Sequence, residues 1–138
     1  MGIEVAPPDS RRSEVGYCAV DGKILFGLGR CLKNPGHETR YGAPTGKQCA
    51  EIVRPLMKQI LSRCPKDMRP AKAGDRWTFH NPSWEDRQAT SSFTLFSCKD
   101  EADQQRGLAT DTLILDEARD IVNLAYVVND VFGWQFVD

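Results

Sequence analysis

Thr110-Asp111-Thr112-Leu113-Ile114-Leu115-Asp116-Glu117 is an apolar run that ends abruptly in two adjacent carboxylates. An unbroken apolar run of this kind suits a strand buried on both faces of a parallel sheet, and such sheets place their ligands at the C-terminal edge of the strands. Asp116 then lies where a carboxylate can hold Mg²⁺ through water, and Glu117 where one can orient an attacking water. The architectural alternative is equally simple. Asp116 caps a following helix and Glu117 favours its positive N-terminal end.

Working outward, residues 118–128 continue as Ala118, Ile121, Val122, Ala125 and Val128, one apolar face at helical spacing. Upstream, residues 76–80 and 92–97 alternate with period two and predict two strands, which the turn-rich linker 81–91 can join as a hairpin. Residues 39–43 predict another strand. It leads through Pro44-Thr45-Gly46 into a helix over 47–61, with Cys49, Ile52, Val53, Leu56, Ile60 and Leu61 on one side and Lys47, Glu51, Arg54 and Lys58 on the other. Pro55 removes one backbone bond there and should kink it. Residues 15–20 read as a short strand broken by Asp21-Gly22-Lys23, and 24–32 as a helix buried on most sides that stops at Asn34-Pro35-Gly36. Strand and helix in alternation imply α/β architecture: a mostly parallel sheet with helices on both faces, three layers α/β/α. Residues 1–12 read as a flexible lead-in and 13–138 as one domain.

A phosphate cradle is the natural partner of the acidic pair. Gly16-Tyr17-Cys18-Ala19-Val20-Asp21-Gly22-Lys23-Ile24 stands between a predicted strand and a predicted helix, with a glycine-lysine where backbone N–H groups and an ammonium would meet phosphate. Five residues separate its glycines where a P-loop has four, and Ile24 replaces the Ser or Thr that ligates Mg²⁺. Asp21 adds negative charge beside the lysine, and the plain alternative is an Asp-Gly turn. Thr45, Gly46 and Lys47 occupy a second strand-to-helix junction, either as a simple Thr45 cap or as contacts to a nucleic-acid phosphate. Arg106, in Gln104-Gln105-Arg106-Gly107, is either solvated or placed to reach a γ-phosphate. Trp77, Trp84 and Trp134 read as packing residues, since no interleaved basic residues make them a stacking platform.

Charge is unevenly spread. Residues 1–98 carry 15 Lys/Arg against 10 Asp/Glu, whereas 99–138 carry 3 against 9, for a net charge of −1. Five widely spaced cysteines with no CxxC pair, and only His37 and His80 besides, predict small buried thiols in a reducing compartment and no zinc site. No run of about 18 apolar residues occurs and the first residues lack a signal-like pattern, so the expected location is the cytoplasm.

Taken in order, these pieces resemble the ATPase domain of phage large terminase subunits, the motors that pump DNA into capsids. The resemblance spans roughly residues 15–130: the glycine-lysine loop and helix; Tyr41-Gly42-Ala43-Pro44-Thr45 leading into a long helix; the Trp77-Thr78-Phe79 strand; Phe93-Thr94-Leu95-Phe96 followed by Gln105-Arg106-Gly107; and Leu113 through Arg119. The resemblance implies a P-loop NTPase-like fold with ATP and Mg²⁺ as cofactors. Gly16, Asp21, Gly22 and Lys23 would be the phosphate loop, Asp116 the Mg²⁺ ligand, Glu117 the catalytic carboxylate and Arg106 its catalytic partner. Double-stranded DNA, a capsid portal, a small terminase subunit and further copies of the chain are the implied partners, with no membrane. The chain ends before the family's coupling motif and nuclease domain, so a partial domain is expected. A non-catalytic nucleic-acid or protein interaction module on the same scaffold is the other reading.

Overall fold

A computed structural model describes residues 3–6, 20–133 and 135–136. Among the described residues the sheet has seven strands: β1 (Ile3–Ala6), β2 (Glu38–Ala43), β3 (Ala71–Ala73), β4 (Arg76–Phe79), β5 (Ser91–Ser97), β6 (Thr112–Leu115) and β7 (Gln135–Phe136), in the order β3-β4-β5-β2-β6-β1-β7. Strand β2 pairs in parallel with β5 on one side and β6 on the other. The β3–β4, β4–β5, β1–β6 and β1–β7 pairs are antiparallel. The expected mostly parallel sheet of a three-layer P-loop fold therefore does not form.

The physical reason lies in the connections. A parallel neighbour needs a crossover, which the helical segment after β2 provides, but β4 and β5 are joined through turns alone and return antiparallel. Ile3–Ala6, inside the stretch read as a lead-in, supplies β1, with Ile3 opposite Leu115 and Val5 opposite Leu113. Residues 15–19, read as a strand, lie outside the described residues, as does Trp134, and Val20 opens a helix.

Helix α1 (Val20–Lys33) buries Lys23, Ile24, Gly27, Leu28 and Cys31, a single stripe at helical spacing. It is thus less enclosed than its composition predicts: Leu25 and Phe26 face outward, and the Arg30 guanidinium lies 5.1 Å above the Phe26 ring. Gly27 is where α1 touches the sheet. A Cβ there would lie 2.7 Å from the Phe93 ring, so glycine sets the close approach. The helix ends as expected, with Gly36 in a left-handed conformation at φ 78°.

The second helical segment begins with α2 (Gly46–Gln48), passes through a π turn (Cys49–Val53) and continues as α3 (Arg54–Leu61). Arg54 N–H bonds to the Cys49 carbonyl across the wide turn, and Pro55 follows in the first turn of α3, where a missing N–H is tolerated. The expected kink is thus taken up by a π turn. Ile52, expected inside, is turned outward by it, while Cys49, Val53 and Met57 are buried.

Two apolar clusters form, one on each face of the sheet. Under α1 and α3 lie Tyr41, Trp77, Phe79, Phe93, Leu95 and Ile114; on the other face Phe96, Leu113, Leu115, Val127 and Val128 pack together. Burying each large apolar side chain contributes about 1.5–3 kcal/mol. The second face is covered by short turns. A 3-10 turn (Ala118–Asp120) and a π turn (Tyr126–Val131) replace the continuous helix expected over 118–128, and Val122 is 93% exposed. Among the described residues no helix is long and apolar enough to cross a membrane.

Candidate functional site

The parallel trio β5-β2-β6 gives the molecule one edge where three strands end together. Backbone bonds stitch the strand exits: Cys98 N–H to the Ala43 carbonyl at 2.8 Å, and Asp116 N–H to the Gly42 carbonyl at 2.9 Å. Gly42 itself admits no side chain, since a Cβ would lie 2.7 Å from the Phe96 ring and 2.9 Å from Cys98 Sγ. Asp116, the first residue after β6, is fixed at this edge by its backbone.

Lys23, in the opening turn of α1, donates from Nζ to Asp116 Oδ1. The two side chains are only 7% and 6% exposed, and 93 residues separate them in the chain. So the lysine of the predicted phosphate loop and the predicted Mg²⁺ carboxylate meet in one buried ion pair. Asp116 does not act as a simple helix cap. Burial, and then the charge of Asp116, hold the proton on the Tyr41 hydroxyl, which is buried and completes no hydrogen bond of good geometry.

Glu117 follows with φ 46° and ψ 51°, and among the described residues it is the non-glycine with positive φ. Holding a non-glycine residue there costs about 1 kcal/mol or more, and such strain clusters at binding and catalytic sites. Its side chain makes no cap to the 3-10 turn that begins at Ala118.

The other site residues are dispersed. Gly16 lies outside the described residues. Asp21 and Gly22 sit in the first turn of α1, in helix where an Asp-Gly turn was the alternative, and Asp21 Oδ1 accepts from Gly22 N–H at 2.9 Å. Thr45 is the α2 cap: its Oγ1 accepts from Gln48 N–H at 3.3 Å. Lys47 is exposed. Arg106 does not join the pair, because its guanidinium donates to Tyr126 Oη at 2.6 Å and to the Asp130 carbonyl at 2.9 Å. It ties the β5–β6 connection to the C-terminal π turn.

No protein-family model, curated protein or solved structure matches the chain.

Among the described residues no three His, Cys, Asp or Glu side chains converge as a metal cage. Mg²⁺ bound with phosphates needs only one or two carboxylates and keeps several waters, so Asp116 alone, with Glu117 beside it, fits that mode and not a stand-alone metal site. Sequence reasoning gave Tyr41 no role. Its signal was a tyrosine directly before the small residues Gly42 and Ala43, on a strand next to the one that leads into Asp116.

Proposed function

We propose that the Lys23–Asp116 edge is a nucleotide-phosphate site, and that the protein is an ATP-binding module, with ATP hydrolysis as its activity, related to viral DNA-packaging motors. One observation carries the reading: a lysine in the first turn of a helix and an acid at the end of a central parallel strand, far apart in sequence, share one buried contact. A helix N-terminus facing the C-terminal ends of parallel strands is a favourable place for phosphate. In this reading Lys23 would meet the phosphates, Asp116 would hold Mg²⁺ through water, and Glu117 would orient an attacking water. Bound ATP would supply the phosphoryl group and Mg²⁺ its charge neutralisation. Double-stranded DNA, a portal, a small terminase subunit and a homo-oligomeric ring belong to the same proposal by resemblance, and the cytoplasm is its proposed location. Arg106 enters only by leaving Tyr126 and Asp130.

The burial of the pair also favours a second reading. A lysine already satisfied by a carboxylate can serve as architecture, leaving a non-catalytic interaction module.

Calorimetric titration with Mg²⁺-ATP separates the two. Binding that Lys23→Met removes, in a variant whose circular dichroism matches the parent, supports the nucleotide site; absence of binding at millimolar nucleotide defeats it. For turnover, Glu117→Gln should lower kcat by about 10²–10³-fold, the scale of losing one oriented transition-state contact, with ATP affinity retained. An unchanged rate would assign any hydrolysis elsewhere.

A further inference from the structure

Away from the Lys23–Asp116 edge, a hollow of about 800 Å³ opens between α3 and the β3–β4 hairpin. Its volume falls in the range of small-molecule sites, about 300–1,000 Å³. Four cationic side chains line it from three segments: Arg54 and Lys58 from α3, Arg69 from the following connection, and Lys72 from β3; among the described residues no carboxylate lines it. Apolar groups, Trp77 and Pro55 among them, form its floor. This is where the basic excess of the chain concentrates, since residues 47–76 hold 8 Lys/Arg against 3 Asp/Glu.

Three of the cations are positioned before any ligand arrives. Arg54 is clamped by Asp75 through two bonds of 2.7 Å, and Arg69 donates from Nε to the Cys64 carbonyl at 3.0 Å. Both arginines keep further N–H groups for a ligand. Lys72 is held 5.4 Å above the Trp77 ring, and Lys58 is exposed without an ion pair among the described residues. Two fixed guanidinium groups and two exposed ammonium groups surround one hollow, and Asp75 offsets one of the four charges, so the site stays positive and suits an anion.

We propose that this hollow binds a compact small molecule carrying two or more phosphate groups, separately from the Lys23–Asp116 site. The convergence of four cations on one concavity favours a compact anion over an extended polymer, and the apolar floor leaves room for an organic body beside the phosphates.

The probe is inorganic tripolyphosphate, titrated calorimetrically into the full chain without Mg²⁺. Binding is expected at low ionic strength and should weaken as NaCl is raised. Lys58→Ala and Lys72→Ala should each weaken it by about five-fold, the upper end for an exposed charge pair, and Lys23→Met should leave it unchanged. Both lysines are exposed, so their variants keep the fold. The proposal is overturned if tripolyphosphate fails to bind at millimolar concentration. It is also overturned if Lys23→Met removes the binding while Lys58→Ala and Lys72→Ala do not, which places the anion at the other site. A single-stranded oligonucleotide that binds through Lys58 and Lys72 where tripolyphosphate does not would overturn the compact-anion assignment as well. Failure of ATP binding at Lys23 leaves this test unaffected.

Discussion

Two ion pairs in this molecule use the same chemistry in opposite surroundings. Lys23–Asp116 joins a helix to a strand end with both side chains under a tenth exposed, whereas Arg54–Asp75 spans α3 and the β3–β4 turn with side chains 39% and 22% exposed. Geometry alone would rank the second higher, because it is bidentate at 2.7 Å. Environment reverses the ranking of what happens when a partner is lost. In water a freed charge is rehydrated, but in the sheet interior a freed charge remains desolvated.

The largest effect should come from breaking the buried pair. Asp116→Ala leaves the Lys23 ammonium without its partner and is expected to lower unfolding free energy by about 3–5 kcal/mol in urea denaturation. The double variant Lys23→Met with Asp116→Leu should recover most of that loss, since apolar groups of similar volume tolerate burial. A loss below about 1 kcal/mol for Asp116→Ala would mean that water already reaches the pair, and the contrast would collapse.

Asp75→Asn should do much less, about 0.2–1 kcal/mol at pH 7 after allowance for solvent screening. Its signature is its pH dependence. The Arg54 guanidinium holds the Asp75 carboxyl below its ordinary value of 3.8. The unfolded chain therefore takes up the proton first, so this stabilisation is complete above that value and is lost as pH falls below it. Wild type and Asp75→Asn should converge in that acid range. A difference that persists there would assign the effect to packing.

The smallest effect belongs to His37, at the opposite edge of the sheet from Asp116, where its Nε2 lies 2.7 Å from Thr112 Oγ1. Burial lowers its pKa from 6.5, with the nearby Asp111 charge acting the other way. Because the unfolded state protonates first, stability is full above pH 6.5 and declines as pH falls through the range below it. His37→Gln should flatten this decline in thermal unfolding scans between pH 7 and 5. An unaltered slope would show that the ring is solvated like the exposed pair and unlike the buried one.

Much of the site was legible because its residues carry distinctive local chemistry. Lys23, Asp116 and Glu117 could be chosen from the glycine-lysine turn and from the abrupt end of the Leu113-Ile114-Leu115 run. Their contact could not, because no local rule measures a distance across 93 residues. Arg106 shows the converse. Its loop and neighbours look like a route to phosphate, yet Tyr126 and Asp130 occupy its donors. Four strands and both helical segments followed from apolar runs, periodicity and turn residues, whereas the 118–128 helix did not form as one piece. Its apolar spacing was real, but the chain turns at Ile121, and Val122 faces solvent.

By itself, the sequence determined four of the strands and both long helical segments, which acids end a buried strand, and where the positive charge gathers. Those properties are local: side-chain period, turn residues and charge are set within a few positions of one another. Tertiary structure alone decided strand direction and partnership. An alternating strand looks the same whether its neighbour runs with it or against it, and only the path of the connections and the packing on both faces made three strands parallel and left the flanks antiparallel. The same decision brought Lys23 under the end of β6, beside Asp116, and set Tyr41 against them.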